Sequence, residues 1–197
     1  MILKISDIAT VQSGLVLSRK EAKKDSVNIF TYKRLTLRAL GEDGFLSEAE
    51  FESYKAKEYL DTSSLTVSND VVIRLFSPMC PVLIGEQSEG LVVPSQLAIL
   101  KVKDPSAVLP AYLRWYLSQK DIQERVLFEE GGTAQKTIKV STIMDFLVNV
   151  PDMEKQRKAV QIDELGRTRE RLYKELIQQE RVYTENVIAN IIGGSMR

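Results

Sequence analysis

One long, highly charged helix is the strongest constraint on how this chain can fold. From about Glu154 to Ile192 the sequence has helical periodicity, and its apolar positions form a narrow stripe. Apolar residues, with two polar residues among them, recur at the heptad spacing that is typical of paired helices. They are Ile162, Leu165, Arg169, Leu172, Leu176, Gln179 and Tyr183. Because so narrow a stripe suits one partner helix, we expect it to pair with another helix. The alternative is a helix folded back on its own domain.

The length of this helix predicts an arm that extends beyond the body. About 38 residues at a rise of 1.5 Å span roughly 57 Å, more than a single domain needs. Gly166 costs the helix about 1 kcal/mol relative to Ala, which packing or a close approach must offset. Gly193 and Gly194 are expected to end it. We therefore divide the chain into a body, residues 1–152, and a long C-terminal helix, residues 153–197.

The body, which Pro151 closes, has the pattern of an α+β domain with a mixed sheet. Its strands are predicted at 28–37, 71–76, 82–84, 91–102 (broken at Pro94) and 143–150. Its helices are predicted at 48–59, 110–117 and 121–128; the first follows a capping box of Ser47 and Glu50, and the second has Pro110 in its first turn. Residues 4–11 fit either a strand or a short helix that leads into one. The irregular order of these elements argues against a doubly wound parallel sheet.

The residue types that are missing exclude several kinds of enzyme. The chain contains no histidine, which excludes Ser-His-Asp hydrolases, Cys-His proteases and His-ligated metal sites. Its single cysteine, Cys80, can form neither an internal disulfide nor a cysteine zinc site. The phosphate-binding, dinucleotide and nucleophile-elbow motifs are missing from the sequence as well. We expect no catalytic residue, no metal site and no cofactor.

The N-terminus and the hydropathy pattern predict a cytoplasmic protein. Lys4 and Asp7 interrupt the first apolar residues before a signal peptide can form. No uncharged run reaches the ~20 residues that a bilayer span needs. We therefore expect no membrane association.

Charge is balanced over the whole chain but not locally. The 27 basic residues equal the 27 acidic ones, yet residues 19–38 carry a net charge of +5 and residues 42–61 a net charge of −5. Such polarity suits a domain that presents one face to phosphate, although a charge run is more often a solvated face. The candidate DNA contacts in the basic segment are Arg19, Lys20, Lys23, Lys24, Lys33, Arg34 and Arg38. Thr133, Gln135 and Lys136 form a second candidate loop, which fits a plain connector equally well.

Several stretches resemble a known family in their order and spacing. They are residues 69–74, 81–84, 93–100, 109–117, 132–138 and 149–151, followed by Glu154-Lys155-Gln156. In these stretches the chain resembles the specificity subunit of type I restriction-modification systems, in a half-length form with one target recognition domain. The resemblance covers most of residues 65–185. The N-terminal third matches less clearly, and in this family that region varies with the DNA sequence recognised.

The resemblance implies a non-catalytic DNA-binding subunit. Full-length members carry two target recognition domains whose spacer helices pack antiparallel. The resemblance therefore implies that residues 1–152 are a target recognition domain and that residues 153–197 are a spacer helix, through which a chain with one unit would dimerise. A homodimer would bind a split, two-fold symmetric site on double-stranded DNA, with half-sites at most about 16 base pairs apart for a helix of this length. Methyltransferase and restriction subunits would dock around it and supply the chemistry. Two alternatives stay open: a protein-binding adaptor that dimerises through the same helix, and an enzyme with an unrecognised carboxylate site.

Overall fold

The computed structural model describes residues 1–23, 27–130 and 137–193. Four candidate DNA contacts, namely Lys24, Thr133, Gln135 and Lys136, lie outside these residues. The chain divides into two compact units, Met1–Val160 and Gln161–Arg197. The α+β class with a long C-terminal helix is confirmed.

The first unit contains all eight strands of the described residues and its short helices. In chain order the elements are β1 (Ile2–Lys4), α1 (Ile5–Ile8), β2 (Ala9–Ser13), α2 (Leu17–Lys20), β3 (Phe30–Arg34), β4 (Glu52–Ala56), β5 (Val71–Arg74), β6 (Val82–Leu83), β7 (Leu97–Val102), α3 (Pro110–Ser118), α4 (Lys120–Glu129), α5 (Val140–Asp145), β8 (Leu147–Asn149) and α6 (Met153–Ile191). Short 3-10 turns lie at Leu37–Ala39, Glu48–Glu50, Thr62–Ser64 and Glu86–Ser88. Residues 4–11 were predicted to form either a strand or a short helix that leads into one. The structure has the second arrangement, α1 followed by β2.

The central sheet has four strands in the order β2-β7-β5-β6. Its ladders are antiparallel, and single parallel bridges join Leu15 to Pro94 and Arg34 to Val92 at its margin. Both faces of this sheet are buried. Successive residues of a strand point to opposite sides, so neighbours in β5 pack against different layers. Ile73 of β5 faces the helices α1, α3, α4 and α5, whereas Val72 faces the segment of residues 35–40. The sheet therefore separates a helical layer from the basic segment.

The helical layer contacts β8, the last strand of the body, through α3. Pro110 occupies the first turn of α3, as predicted, and this helix buries Tyr112, Leu113 and Leu117. The Tyr112 hydroxyl donates to the Asn149 carbonyl at 2.7 Å. Burial raises the pKa of Tyr112 to about 12, which keeps this donor protonated at neutral pH.

Gln156 fastens the first turn of α6 to the body. The side chain is fully buried, and its Oε1 accepts from the Leu109 amide at 2.9 Å. Its Nε2 donates to the carbonyls of Ala107 at 3.0 Å and Pro151 at 2.9 Å. One amide therefore satisfies three backbone groups, which anchors the first turn of α6 to the body.

Two predicted elements have the wrong type of secondary structure, and the strand predicted at 91–102 begins only at Leu97. The predicted helix at 48–59 is a 3-10 turn followed by β4, and Ser47 makes no side-chain cap. Pairing with β3 outweighed the local capping signal, since Tyr54 and Ala56 alternate into a buried face. The predicted strand at 143–150 begins as the helix α5, and the strand β8 starts only at Leu147. A short apolar run does not distinguish a buried helix from a strand.

Candidate nucleic-acid interface

A two-stranded ribbon, β3 with β4, carries Lys33 and Arg34 of the basic segment. Its antiparallel register places Thr31 opposite Lys55 and Lys33 opposite Ser53. Residues that face each other in this way share one side of the ribbon. The ribbon joins the rest of the body through Val92, whose amide donates to the Lys33 carbonyl at 2.9 Å.

The inner face of the ribbon is held by a small apolar cluster. Tyr54 and Ala56 are buried there with Leu60 and Val92, and Tyr32 packs beside them. The Tyr54 hydroxyl donates to the Leu17 carbonyl at 2.8 Å, and the Tyr32 hydroxyl accepts from the Leu60 amide at 3.1 Å. Burial raises the pKa of Tyr54, so this hydroxyl stays a donor. The inner face is thus structural, which leaves the outer face for binding.

The outer face of the ribbon carries two lysines and two hydroxyls. Thr31, Lys33, Ser53 and Lys55 are all exposed. Lysine ammonium groups bind phosphates and guanine edges, and hydroxyls bind phosphates or bases, while a two-stranded ribbon fits the major groove of B-DNA. This face therefore has the chemistry and shape of a duplex contact.

A polar cleft lies beside the ribbon. It has a volume of about 620 Å³, and its walls are residues 15–18, 34–38 and 94–96 with Glu52. We call it the arginine cleft, because its charged lining consists of Arg34, Arg38 and Glu52. Gly14 allows two walls to meet, since a Cβ there would lie only 2.2 Å from the Val93 carbonyl oxygen.

Ion pairs join the basic and acidic segments, contrary to the expectation that they form opposite faces. Lys20 pairs with Glu58, and the Arg34 Nε donates to Glu52 Oε2 at 3.1 Å. The Lys20 ammonium holds the pKa of Glu58 below its usual range. The β3–β4 pairing brings these segments together, so part of the local charge imbalance is neutralised within the domain.

The described candidate residues fall at three places. Arg19 and Lys20 end α2, and Lys23 follows as an exposed residue. Lys33 lies on the outer face of the ribbon. Arg34 and Arg38 both line the arginine cleft.

Lys55 and Gln96 are candidate contacts that the sequence analysis missed. Lys55 lies within the predicted acidic helix, and only the alternation of buried Tyr54 and Ala56 with exposed neighbours would have assigned it to a strand face. Gln96 lines the cleft immediately before β7. Its segment had been assigned to strand, and nothing in the local sequence marks it as a binding residue.

The predicted dimerisation stripe is exposed along the second unit. Its five apolar members, Ile162, Leu165, Leu172, Leu176 and Tyr183, are between 52% and 71% exposed. Arg169 and Gln179 are exposed as well. Charged neighbours pair along the helix, as Asp163 does with Arg167 at 2.8 Å and Glu170 with Lys174 at 2.9 Å. Exposed apolar area at heptad spacing is typical of a helix that associates with another.

Residues 1–23, 27–130 and 137–193 contain neither a membrane-spanning helix nor a cluster of metal-binding side chains. No helix in these ranges is both long and apolar enough to cross a bilayer. No group of three or more acidic, cysteine or histidine side chains in the same ranges is arranged to hold a metal ion.

The sequence matches a protein family over most of its length. The family of the type I restriction modification DNA specificity domain matches residues 1–179, which include the whole body and much of α6. The chain belongs to this family. The resemblance seen in the sequence is thereby confirmed, and specificity subunits of type I systems are non-catalytic, as predicted for this chain.

Solved structures show that the fold of this specificity domain is shared. An HsdS subunit from Thermoanaerobacter tengcongensis has a TM-score of 0.66 at 13% identity, over 96% of this chain and 47% of that one. A chain from a study of complex assembly and conformational transition of the type I R-M system has a TM-score of 0.64 at 12% identity, over 95% and 43%. The S subunit from M. genitalium has a TM-score of 0.57 at 14% identity, over 92% and 42%.

The specificity domain spans less than half the length of each of these three chains. No curated protein matches its sequence.

Proposed function

We propose that the chain is a half-length specificity subunit that binds a bipartite site on double-stranded DNA as a homodimer. In this proposal residues 1–152 recognise one half-site, and residues 153–197 form the spacer and dimerisation helix. The observation that carries the proposal is the family match, which runs through the body and into α6 as far as residue 179. Each of the three solved structures is more than twice as long as this chain, so two copies together approach the length of one of them.

The outer face of the ribbon supports duplex binding by the body. Lys33 and Lys55 are exposed there, and Thr31 and Ser53 place hydroxyls between them. Neutralising phosphates releases bound counterions, so affinity that depends on these lysines falls steeply as salt rises.

The exposed stripe of α6 supports dimerisation. Leu172 and Leu176 occupy successive core positions of the heptad, while Arg169 and Gln179 place polar side chains in the same seam. Polar seam residues cost stability but select one register and one partner number. In a two-fold dimer both copies use the same stripe. The two bodies are then related by the same two-fold axis and would bind half-sites in inverted orientation.

Methyltransferase and restriction subunits are the proposed partners of the dimer. The name of one structural neighbour concerns complex assembly of a type I system. These partners would bring the methyl-transfer and motor-nuclease chemistry that the specificity subunits of this family do not perform.

A protein-binding adaptor is the competing function. Zero net charge and the ion pairs of Lys20 and Arg34 favour it, because they reduce the positive field that would attract DNA.

A salt titration of DNA binding by the full chain separates the two functions. Fluorescence anisotropy with a pool of random duplexes should show binding that weakens linearly with salt on a double logarithmic plot. Enrichment from the pool should return a site with two inverted halves. Failure to bind any duplex at low salt would remove the DNA-binding function and favour the adaptor.

A further inference from the structure

The arginine cleft has one cation whose charge is not balanced within the protein. Arg34 is paired with Glu52, so these two charges largely cancel. Arg38 also lines the cleft, is exposed, and has no hydrogen-bond or ion-pair partner among the residues that the structure describes. The net positive charge of the cleft therefore resides on Arg38, which favours an anion as its ligand.

A half-buried arginine, Arg74, fixes the turn that carries Arg38. The Nη2 of Arg74 donates to the Leu37 carbonyl at 2.8 Å and to the Leu40 carbonyl at 2.7 Å. These two carbonyls bracket Arg38 in the chain. The Nε of Arg74 is buried without a hydrogen-bond partner among the described residues. A buried donor left unpaired costs free energy. The Arg74 side chain therefore makes its two hydrogen bonds to the turn while its Nε has none.

Thr36 holds the same turn from its other end. Its hydroxyl donates to the Glu50 carbonyl at 2.9 Å and accepts from the Ala39 amide at 3.2 Å. The backbone on both sides of Arg38 is thus anchored, while the Arg38 side chain remains available. Such a rigid backbone with a free guanidinium is suited to binding, because little order is lost when the ligand arrives.

We propose that the arginine cleft binds a phosphodiester group of the DNA backbone, with Arg38 as the contact and Arg74 as a positioning residue. A guanidinium can bind two oxygens of a phosphate with parallel hydrogen bonds. A phosphate projects from the outside of a duplex and can enter a cleft, whereas base edges lie within the grooves, where an exposed ribbon can reach them. The inference rests on the proposed DNA-binding function and deepens it.

The test measures DNA affinity of the full chain over a series of salt concentrations, on several duplexes of different sequence. Arg38→Ala should weaken binding to every duplex by about tenfold and reduce the slope of log affinity against log salt by about 0.9. Arg157→Ala is the matched control, since Arg157 is exposed on α6 and its removal changes the net charge equally. The control should leave both affinity and slope within a factor of about two.

Arg74→Lys tests the positioning role, because lysine keeps the charge but has no planar fork to span two carbonyls. It should reduce affinity and slope in the wild-type background and change neither in the Arg38→Ala background. A merely structural role would lower the melting temperature and weaken DNA binding equally in both backgrounds, which would overturn the positioning claim. If Arg74→Lys does not fold, Thr36→Val loosens the same turn and carries the same expectation.

Other outcomes identify which claim fails. A loss confined to particular sequences would make Arg38 a base contact and overturn the phosphate assignment. Calorimetric binding of deoxyadenosine monophosphate that Arg38→Ala abolishes, with DNA affinity unchanged, would assign the cleft to a free nucleotide instead. Salt-dependent DNA binding by the wild type that Arg38→Ala leaves intact would overturn the cleft proposal alone. Absence of DNA binding by the wild type would overturn the proposed function itself.

Discussion

At the scale of single residues, Gly14 shows how one missing side chain shapes the arginine cleft. Its amide donates to the Leu97 carbonyl at 2.9 Å, and a Cβ would lie 2.2 Å from Val93 O and 2.4 Å from Pro94 O. Both neighbours are backbone atoms, so the strands must separate to admit a methyl group.

We expect Gly14→Ala to lower the free energy of unfolding by roughly 1–3 kcal/mol, because overpacking forces the backbone to shift. Urea denaturation measures the change. Gly166→Ala is the contrasting variant, since nothing lies within 4 Å of its added Cβ, and it should stabilise the chain by up to about 1 kcal/mol. A Gly14→Ala protein as stable as the wild type would contradict the close approach.

Gln156 concentrates three hydrogen bonds in one buried side chain. Gln156→Leu fills a similar volume but leaves Leu109 N, Ala107 O and Pro151 O without their partner. We expect a loss of about 2–5 kcal/mol in the free energy of unfolding, since the substitution leaves three partly buried backbone groups unpaired. Gln178→Leu, at an exposed position of the same helix, is the control and should change stability little. Equal effects in a denaturation experiment would contradict the anchoring role.

At the scale of elements, Glu130 links the end of α4 to the start of α5. Its Oε1 accepts from the Lys139 amide at 3.0 Å and from the Thr142 hydroxyl. The Thr142 hydrogen bond, followed by that of the Lys139 amide, holds the pKa of Glu130 below its usual range. A carboxyl whose pKa is lowered by folding stabilises the protein fully above its unfolded pKa of about 4.3. That contribution is lost as the pH falls through the folded pKa.

Glu130→Gln removes this titration while keeping an oxygen acceptor. The wild type should therefore lose stability more steeply than the variant as the pH falls below about 5. Urea denaturation over a series of pH values measures both slopes. Parallel curves would show that Glu130 does not contribute to acid denaturation.

The ribbon gives the second prediction at this scale. Replacing Lys33 and Lys55 together with alanine should weaken DNA binding and reduce the salt slope by about 1.8, which corresponds to two phosphate contacts. Stability should change by no more than about 0.5 kcal/mol, since both side chains are exposed. Lys120→Ala with Lys158→Ala removes the same charge from exposed helical positions and should leave DNA binding nearly unchanged. Equal losses from the two pairs would mean that only net charge matters.

The elements differ in how far the sequence predicts them. Helix α6 was predicted within a residue or so at each end because its periodicity persists for 39 residues. Pro110 likewise marked the start of α3. The strand β4 was missed because its stability comes from pairing with β3, about twenty residues earlier in the chain, and from the burial of Tyr54. Local capping chemistry at Ser47 pointed the other way.

The candidate site was predictable only in part, for a related physical reason. A count of charges identifies Lys33, Arg34 and Arg38 alike as candidate contacts. It does not show that Glu52 neutralises Arg34. Lys20 and Glu58 lie 38 positions apart and meet only because the chain folds. The contribution of Arg74 is equally hidden, since its role depends on two carbonyls of another segment.

At the scale of the whole molecule, the exposed stripe of α6 makes the oligomeric state the central prediction. Leu172→Lys with Leu176→Lys should give a folded monomer, because charge in both core positions opposes helix pairing. Light scattering measures the mass, and circular dichroism checks that the body remains folded. Gln161→Lys with Gln178→Lys adds the same charge outside the stripe and should leave the dimer intact. A dimer that survives the leucine substitutions would place the interface elsewhere.

The pairing of β1 with β8 has a consequence for how the protein is made. Ile2 lies opposite Asn149, so the first and last strands of the body are neighbours although almost the entire body separates them in sequence. During synthesis β1 must wait, unpaired, until β8 has left the ribosome, and contacts so distant in sequence slow folding. A ribosome stalled before β8 should therefore display a body that proteases cut readily, and one stalled well into α6 should display a resistant body.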